Sequence, residues 1–554
     1  MRNFSSKELV GFIIGLFVAV GFLVYGYGVF TNDFVSFDDG LLIYDNISVI
    51  RAGSLWSVQW AFANYDPELY IPLTFLSLQL DAIIGGMNPF IFHFTNLLLH
   101  IANALLITWI IRLLFKRLDI AVLLGLLFLV HPLNVEAVSW AASRKDVLSS
   151  FFFFAAIVGY LHFLETQSVK LHFVSIGLFI LGLLAKVSII PLPLVLVCID
   201  WYKSGTLRIA DLWQKKGYIA AAIPFGLLAL LGKDVVLERS SPVFIGLLIP
   251  KSILFYLEKA VLPLRLSVFY PIDTSTITLA HAAVLVPMLL LAAVVGALWY
   301  FRTKRHTWSV GAIIMMLLFI PSFLQYYRGN DLYLASDRYM YLAFLGLIII
   351  IASEIAKIIS LYKLKITYGV LGIVIISFSI LTVKRSLVWK DTLTLFTDVL
   401  QYEESFLAYE KVGSELLVLG KRAEAIEALK KSIDLAPSSA AFVRLGIAAE
   451  ETKNWTDAKL FYLKALESSP EHAQAHTNLG RIYWDESNRT LAIDHMERAV
   501  ENHPWNMMAL GNLASMYTLT GQKEKALEII DAILLLEPNN ERVGPLLKKL
   551  GVQR

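Results

Sequence analysis

Cysteine is almost absent from this chain, which contains only Cys198. A lone thiol cannot form an intrachain disulfide, so the fold does not depend on oxidative cross-links in any compartment. Net charge is nearly absent as well, because 48 basic and 45 acidic residues sum to only +3. Such a balance gives no global field that would attract nucleic acid, and we expect no nucleic-acid partner.

Long hydrophobic runs dominate the first two thirds of the chain. Hydrophobic residues make up 57% of the 554 positions, and the mean hydropathy of +0.63 is typical of a polytopic membrane protein. A helix needs about 20 apolar residues to cross a bilayer. This rule predicts about eleven spans before residue 385, at 8–30, 90–114, 119–137, 147–164, 171–186, 187–202, 218–236, 278–300, 309–326, 339–358 and 366–383. The first run is too long for a signal-peptide core and lacks a small-residue cleavage pattern, so we expect it to be retained.

Lysine and arginine indicate the orientation of these spans. They concentrate in alternate loops, which the positive-inside rule places in the cytoplasm together with the N-terminus. Loops 31–88, 138–146, 238–277 and 327–338 then face outward. An odd number of spans also sends everything after residue 385 to the extracytoplasmic side.

A repeat of about 34 residues occupies the remaining segment, 386–554. Three columns of small residues or proline recur in phase: Ala425, Ala458, Ala492 and Ala526; Pro437, Pro470, Pro504 and Pro538; and Gly413, Gly446, Gly480 and Ala514. This period is typical of tetratricopeptide repeats, which stack into an α-solenoid with a concave binding face. We predict about four repeats with a leading and a capping helix. Such arrays usually bind peptides or proteins, although a structural spacer is the alternative.

Two adjacent carboxylates, Asp38 and Asp39, begin the first outward loop in "SFDDGLLIYDN". The loop is rich in aromatic residues, which favours a position in the membrane interface. Two carboxylates at that surface could act as a general base and the group that orients it or its substrate. An ordinary polar loop that caps a helix is the alternative.

The second outward turn, "HPLNVEAVSWAASRKDVLSS", carries further ionisable residues near span ends. Glu136 requires a partner or water, because a charge at a helix centre costs roughly 2.5–3.5 kcal/mol on insertion scales. Arg144 and Asp146 could form a simple ion pair. His131 and Glu136 could suggest a metal, but two such groups form a weak ligand set.

Two cationic residues elsewhere are candidates for binding an anion. Arg338 is expected in the first turn of the tenth span, where free N–H groups already attract anions and a guanidinium adds a forked phosphate donor. A pair between Arg338 and Asp337 is the alternative. Lys186 either snorkels to headgroups or faces a lipid phosphate.

A polar stripe on the second span is expected to form a hydrogen-bonded seam with neighbouring helices rather than a catalytic site. Its members are His93, Asn96, His100 and Asn103.

Taken in order, several motifs resemble those of one known family. "FDDGLLIYDN", "YIPLTFLSLQLDAIIGGMNPFIFHFTNLLLHIANALL", "HPLNVEAVSWAASRKDVLSSFFF", "AKVSIIPLPLVLVCIDW", "LPLRLSVFYP" and "SDRYMYLAFLGL" precede the repeats. The sequence is similar, over nearly its whole length, to the transmembrane and tetratricopeptide-repeat-containing O-mannosyltransferases and their bacterial relatives, in the GT-C class of membrane glycosyltransferases. The resemblance implies an all-α fold: a GT-C-like bundle at 1–385 followed by the solenoid at 386–554. It also implies a bacterial inner (plasma) membrane location.

The resemblance implies a sugar donor linked to polyprenyl or dolichyl phosphate, used on the outer face without a nucleotide cofactor. A divalent cation stays an open possibility. The family's first-loop acidic motif falls on Asp38 and Asp39, with Asn46 as the asparagine that follows, and its role there is catalytic. The acceptor would be a protein serine or threonine recruited by the repeats.

The family's "DRY" segment falls on Asp337, Arg338 and Tyr339, which implies a donor-phosphate role for Arg338. Two positions depart from the family pattern: Ile71 stands where relatives commonly have arginine, and Val187 stands where they often have glutamate. If either missing group holds the donor, this chain uses a different lipid-linked sugar or compensates elsewhere.

The expected chemistry is a direct, inverting displacement. Asp38 takes the acceptor proton, Asp39 orients the acceptor or a cation, and Arg338, with Arg144 or Lys186, offsets charge on the leaving phosphate. The supporting residues are Asp337, Tyr339, His131, Glu136, Asp146 and Asn46. Transfer to a glycan or lipid is the alternative within this class, and a non-catalytic membrane scaffold is the alternative outside it. A transporter would carry charges through its spans, whereas here they gather on one face.

Overall fold

The structure is a computed structural model that describes residues 6–65, 69–206, 209–231, 242–272, 276–278, 281–301, 305–323, 334–361, 364–537 and 539–552. The chain forms two compact units, Met1–Leu395 and Phe396–Arg554. Both are built from α-helices. All-α architecture was expected from the apolar runs and the repeat, and it is confirmed.

The first unit holds the apolar helices. In chain order they are α1 Ser6–Thr31, α2 Ile47–Ile50, α3 Leu55–Ala63, α4 Pro72–Gly85, α5 Pro89–Phe115, α6 Leu118–Leu129, α7 Val135–Ser139, α8 Arg144–Thr166, α9 Val169–Ala185, α10 Leu192–Ser204, α11 Ile209–Gln214, α12 Lys216–Leu231, α13 Pro242–Val261, α14 Ala282–Phe301, α15 His306–Phe323, α16 Met340–Leu361 and α17 Leu364–Val388. A further helix, α18 Thr392–Leu400, includes the division between the two units.

Eight helical segments of the described residues are long and apolar enough to cross a membrane, and a bent pair brings the number to as many as nine. The eight are Lys7–Thr31, Pro89–Phe115, Ala141–Thr166, Val187–Ser204, Ala282–Phe301, His306–Phe323, Asp337–Ile359 and Lys365–Val388. Among the predicted spans, 171–186 and 218–236 correspond to the shorter helices α9 and α12, while residues 232–236 lie outside the described part of the chain. The sequence therefore located the apolar helices, of which eight or nine segments in the described part of the chain meet the length and composition expected of a span.

The predicted span 119–137 is broken in the structure. The α6 axis and the segment Pro132–Ser139 meet at 53°. Pro132 has no N–H to donate to the carbonyl of Phe128, so the helical ladder ends there. The side-chain amide of Asn134 donates to that carbonyl instead, at 2.7 Å, and Thr382 Oγ1 donates to the Val130 carbonyl at 2.7 Å. Side chains thus satisfy the backbone groups that proline releases.

Two predicted outward loops contain helices. Loop 31–88 includes α2, α3 and α4, and loop 238–277 includes the 20-residue α13. Charged residues at Lys251, Glu258 and Lys259 interrupt the apolar run of α13, which is why a search for continuous apolar spans missed it. Residues 66–68, 238–241, 273–275 and 327–333 of the predicted loops lie outside the described residues.

The polar stripe of α5 forms the predicted interhelical seam. Asn96 donates to the carbonyl of Trp140 at 2.9 Å, and Asn103 donates to that of Val147 at 2.9 Å. His100 Nδ1 lies 2.7 Å from the hydroxyl of Tyr341. These bonds tie α5 to the start of α8 and to α16, the elements that surround the candidate site.

The second unit is a run of paired helices. They are α19 Phe406–Val418, α20 Arg422–Leu435, α21 Ser439–Glu451, α22 Trp455–Ser468, α23 Ala473–Asp485, α24 Arg489–Asn502, α25 Met507–Leu519, α26 Lys523–Leu536 and the short α27 Val543–Lys549. Pro437, Pro470 and Pro504 lie between the second helix of one pair and the first helix of the next, whereas Pro538 lies outside the described residues. The predicted solenoid is confirmed.

The glycine column explains why the paired helices approach so closely. A Cβ atom on Gly446 would lie 2.4 Å from the ring of Tyr462, and one on Gly413 would lie 2.7 Å from Leu429. A side chain at either position would therefore push the paired helices apart.

We predict that Gly446→Leu destabilises the second unit by about 1–3 kcal/mol, because the new side chain would overpack the contact with Tyr462. Hydrogen exchange of the α21 and α22 amides, measured in the full chain, would report this as faster local opening. Gly511→Leu in α25 is the matched control, because a Cβ there meets no atom closer than 3.7 Å. Unchanged protection in Gly446→Leu would contradict the packing argument.

Candidate functional site

A cavity of about 580 Å³ lies in the first unit, between the segment that follows α1 and the ends of several membrane helices. Its charged lining residues and the adjacent tyrosine are Asp38, Lys145, Asp146, Lys186, Arg338 and Tyr339. Most of its remaining wall is apolar: Leu41, Leu42, Leu69, Val187, Ile190, Pro191, Gly226, Ala229, Leu230, Leu318, Ile320, Pro321 and Leu342. Five predicted site residues that are far apart in sequence therefore share one cavity.

Asp39 fastens the first-loop segment rather than lining the cavity. Its side chain is fully buried, and its carboxylate accepts from the N–H of Val35 and from the N–H of Ala142, each at 2.8 Å. Burial raises the pKa of Asp39 to about 7. The two hydrogen bonds from backbone N–H groups lower this pKa, but by less than burial raises it. A buried carboxylate that already accepts two hydrogen bonds is not placed to touch an acceptor. The structure therefore gives Asp39 a structural role in place of the predicted catalytic one.

Of the two adjacent aspartates, Asp38 is the one that faces the cavity. Its side chain is 38% exposed, and its Oδ2 lies 3.6 Å from Nζ of Lys145. The main-chain carbonyl of Asp38 accepts from the N–H of Leu42 at 2.9 Å, so the chain turns immediately into the short π-helical segment Gly40–Tyr44. Asp38 can therefore contact a molecule in the cavity, while Asp39 anchors the backbone behind it.

Three cationic side chains line the same cavity, and each has a carboxylate partner. Lys186 Nζ lies 2.6 Å from Oδ1 of Asp146, and both side chains are 11% exposed. Arg338 is paired with Glu136, whose second oxygen also accepts from the Arg338 N–H at 3.2 Å. The third cation, Lys145, is the one opposite Asp38.

Aromatic rings hold the Arg338 guanidinium in place. Its central carbon lies 5.0 Å from the ring centroid of Trp140 and 4.9 Å from that of Tyr339. The rings and Glu136 together fix a cation whose side chain is only 14% exposed. Glu136 thus has the partner that its position requires, and the predicted pair between Arg338 and Asp337 is replaced by the pair with Glu136.

Arg144 does not line the cavity, so a direct donor-phosphate role for it is not supported. Its side chain is fully buried, and its guanidinium donates to Asp81, Asn96 and Ser77 at 2.6 Å each. These partners belong to α4 and α5, so Arg144 joins α8 to both helices. The predicted ion pair between Arg144 and Asp146 is also wrong, because Asp146 pairs with Lys186.

Three supporting residues have structural partners outside the cavity lining. Asp337 Oδ1 accepts from the hydroxyl of Tyr270 at 2.8 Å, and His131 Nε2 lies 3.0 Å from the carbonyl of Ala260. Asn46 caps α2 by accepting from the N–H of Ser48 at 3.0 Å.

His131 and Glu136 have separate partners, the carbonyl of Ala260 and the guanidinium of Arg338. Among the residues that the structure describes, no group of three or more histidine, cysteine, aspartate or glutamate side chains could hold a metal ion.

The two departures from the family pattern lie in different surroundings. Val187 is part of the cavity wall, next to Lys186. Ile71 is 1% exposed and precedes the first residue of α4, so it does not line the cavity.

Sequence reasoning missed Lys145 as a site residue and chose its neighbour Arg144 instead. Side chains of consecutive helical residues point about 100° apart, and here that of Arg144 packs against α4 and α5 while that of Lys145 lines the cavity. Asp81, a carboxylate inside the apolar helix α4, was the available signal. A buried carboxylate needs a buried cation, and Arg144 is that cation.

These features define an integral membrane protein that joins a charged cavity, walled by apolar helices, to a tetratricopeptide solenoid. Two tetratricopeptide repeat family models match the second unit, one at residues 413–473 and 460–504 and the other at 483–550. The solved structure of PilF from Pseudomonas aeruginosa is similar at 22% identity and a TM-score of 0.24, covering 26% of this chain and 68% of that chain.

Curated relatives extend the similarity into the membrane unit. The human protein O-mannosyl-transferase TMTC3 is 22% identical over 534 residues, which cover 87% of this chain and 54% of that protein. Human protein O-mannosyl-transferase TMTC1 is 33% identical over 135 residues, covering 24% of this chain and 13% of that protein. The chain is therefore similar to the TMTC proteins over most of its length and contains tetratricopeptide repeats, as its motifs predicted. It spans about half the length of TMTC3.

We predict that Arg144→Leu destabilises the first unit by about 3–5 kcal/mol, because it leaves Asp81 buried without its cation. Thermal unfolding in detergent would show the loss, and adding Asp81→Leu should recover part of it. Lys116→Met is the matched control, because it breaks an ion pair with Glu165 in which the lysine side chain is 66% exposed. Equal melting of Arg144→Leu and Lys116→Met would contradict the assignment.

Proposed function

We propose that this protein is a membrane glycosyltransferase. It transfers a sugar, mannose by analogy with the names of its relatives, from a polyprenyl- or dolichyl-phosphate to a serine or threonine hydroxyl of a protein. The observation that carries the proposal is the shared cavity, in which one exposed carboxylate faces three cations beside an apolar wall. The reaction would take place on the extracytoplasmic face of the membrane.

The donor phosphate would bind among Lys145, Lys186 and Arg338. Their side chains converge on the cavity from α8, from the segment between α9 and α10, and from the start of the α16 span. Charge-assisted hydrogen bonds to phosphate are stronger than neutral ones, and arginine adds a forked geometry. The proposal assigns the balancing of phosphate charge to these side chains and includes no cofactor.

The lipid chain of the donor would lie along the apolar wall. Leu230 of α12 and Ile320 of α15 line the cavity, yet they are 67% and 52% exposed on the surface of the first unit. A cavity whose apolar residues continue onto a membrane-facing surface allows a polyprenyl chain to remain in the bilayer while its phosphate reaches the cations.

The chemistry is a single inverting displacement. The acceptor oxygen forms a bond to the anomeric carbon while the bond from that carbon to the phosphate oxygen breaks. Asp38 takes the hydroxyl proton, and the electron pair of the broken bond leaves with the lipid phosphate, where the three cations stabilise it. Asp39 holds Asp38 in place through its bonds to the backbone.

Val187 would contact the donor through an apolar surface at the point where the family pattern has an acidic side chain. The solenoid would bind the acceptor protein and raise its local concentration near the membrane unit.

We predict that Asp38→Asn lowers kcat about 100-fold or more, because the general base is lost while the fold is kept. The assay would incubate the purified protein with polyprenyl-phosphate sugars and an acceptor preparation, and detect the added hexose by mass spectrometry. Asp391→Asn is the matched control, because that side chain is also 38% exposed and asparagine can still accept from the Thr394 N–H. Full transfer by Asp38→Asn would refute the proposed role, and a non-catalytic scaffold predicts that outcome.

We also predict that Gly226→Phe raises KM for a long-chain donor more than for a short-chain one, by about tenfold, because the ring would occupy the apolar wall. A Cβ at Gly226 already approaches Ile190 Cδ1 to 3.2 Å. Gly296→Phe in α14 is the control, since a Cβ there meets nothing within 4 Å. Equal KM changes for both donors would place the lipid elsewhere.

A further inference from the structure

We propose that Lys145 changes partner during donor binding, pairing with Asp38 in the empty cavity and with the donor phosphate once it arrives. Asp38 is thereby released as a base only when the donor is present. This inference rests on the proposed function and adds an order of events to it.

The three cation–carboxylate pairs of the cavity differ in how firmly they are held. Lys186 is hydrogen-bonded to Asp146 at 2.6 Å, and both side chains are 11% exposed. The Arg338 guanidinium has a partner, Glu136, that is 1% exposed and also accepts from the Arg338 backbone. Breaking either of these pairs would leave a buried carboxylate without its cation, which is costly.

The Lys145–Asp38 pair is looser than the other two. Its 3.6 Å separation exceeds hydrogen-bond length, and the Asp38 side chain is 38% exposed while that of Lys145 is 10% exposed. Separating this pair leaves Asp38 facing an open cavity rather than a dry interior, so the carboxylate that loses its cation is not a buried one. A phosphate offers several strong acceptor oxygens, so the lysine gains more from the phosphate than it loses by leaving the carboxylate.

The backbone around the pair is fixed, so the exchange needs only a side-chain movement. Asp39 accepts from the N–H of Ala142, three residues before Lys145, and this bond holds Asp38 and Lys145 on facing segments. Lysine has a flexible four-carbon stem, and Nζ of Lys145 lies over the ring of Trp140, 5.6 Å from its centroid. The ammonium group can therefore turn from Asp38 into the cavity that both residues line.

A binding cycle with four proteins tests the exchange. The full chain, its Asp38→Asn and Lys145→Met variants and the double variant would be titrated in detergent with farnesyl phosphate, and farnesol would serve as the ligand without phosphate. If the partners exchange, the wild type must break the Lys145–Asp38 ion pair before Lys145 can bind the phosphate, whereas the Asp38→Asn variant has no such pair to break. Asp38→Asn should therefore tighten phosphate binding about threefold or more in the protein with Lys145, and by a smaller factor in the Lys145→Met background.

A lysine that stays on Asp38 predicts the opposite order. Lys145 would then screen the carboxylate, so Asp38→Asn would have its larger effect in the Lys145→Met background, where the carboxylate repels the phosphate unscreened. That result, or equal effects in both backgrounds, overturns the exchange. Lys145→Arg should restore most of the affinity lost in Lys145→Met, and melting temperatures would establish that all variants are folded.

The same titration distinguishes failure of the exchange from failure of the proposed function. If the wild type binds farnesyl phosphate no better than farnesol, and Lys186→Met leaves that result unchanged, the cavity is not a phosphate site and both proposals fall. If phosphate binding depends on Lys186, but Asp38→Asn does not have its larger effect in the protein that keeps Lys145, only the exchange is refuted.

Discussion

The candidate site depends on two hydrogen bonds that backbone N–H groups donate to the Asp39 carboxylate. The bond from Val35 closes the segment after the first span on itself, and the bond from Ala142 joins that segment to the backbone just before α8 begins. That connection fixes Asp38 opposite Lys145 and completes the cavity wall with Leu41 and Leu42. Burial raises the pKa of this carboxyl to about 7, against the effect of the two hydrogen bonds from the backbone. An interior carboxylate thus serves here as a fastening between two segments distant in sequence.

Low dielectric surroundings explain the pairing of the other charges. An ion in the interior of a membrane protein needs a counter-ion or water, because the cost of removing it from water is large. Arg144 meets this requirement with Asp81, and Arg338 meets it with Glu136. The pairs differ in exposure, and this difference separates structural charges from those that a ligand can reach. Arg144 is fully buried, whereas Asp38 faces the cavity.

The second unit follows a different physical rule. Its helices pack in pairs because a glycine or alanine recurs where a neighbouring helix crosses, and the large partner side chain comes 16 positions later in each repeat: Leu429, Tyr462, Met496 and Ile530. Contacts of this kind are local, so each repeat can be recognised from its own residues. The membrane unit, in contrast, depends on contacts between segments that are far apart in the chain.

The sequence by itself determined the features that depend on periodicity and composition. Apolar runs located the membrane helices, the 34-residue period located the solenoid, and the polar spacing on α5 indicated its hydrogen-bonded seam, because these signals repeat along the chain. Only the tertiary structure decided which of two adjacent residues faces the cavity. Asp38 faces it while Asp39 is buried, and Lys145 faces it while Arg144 is buried. Adjacent side chains point in different directions, and the path of the backbone decides which of them faces the cavity. Contacts with segments distant in sequence, such as that between Asp39 and Ala142, fix this path. Sequence analysis also missed the break at Pro132, because the side-chain hydrogen bonds that stabilise it do not affect mean hydropathy. It missed α13 because charged residues interrupt the apolar run of this helix.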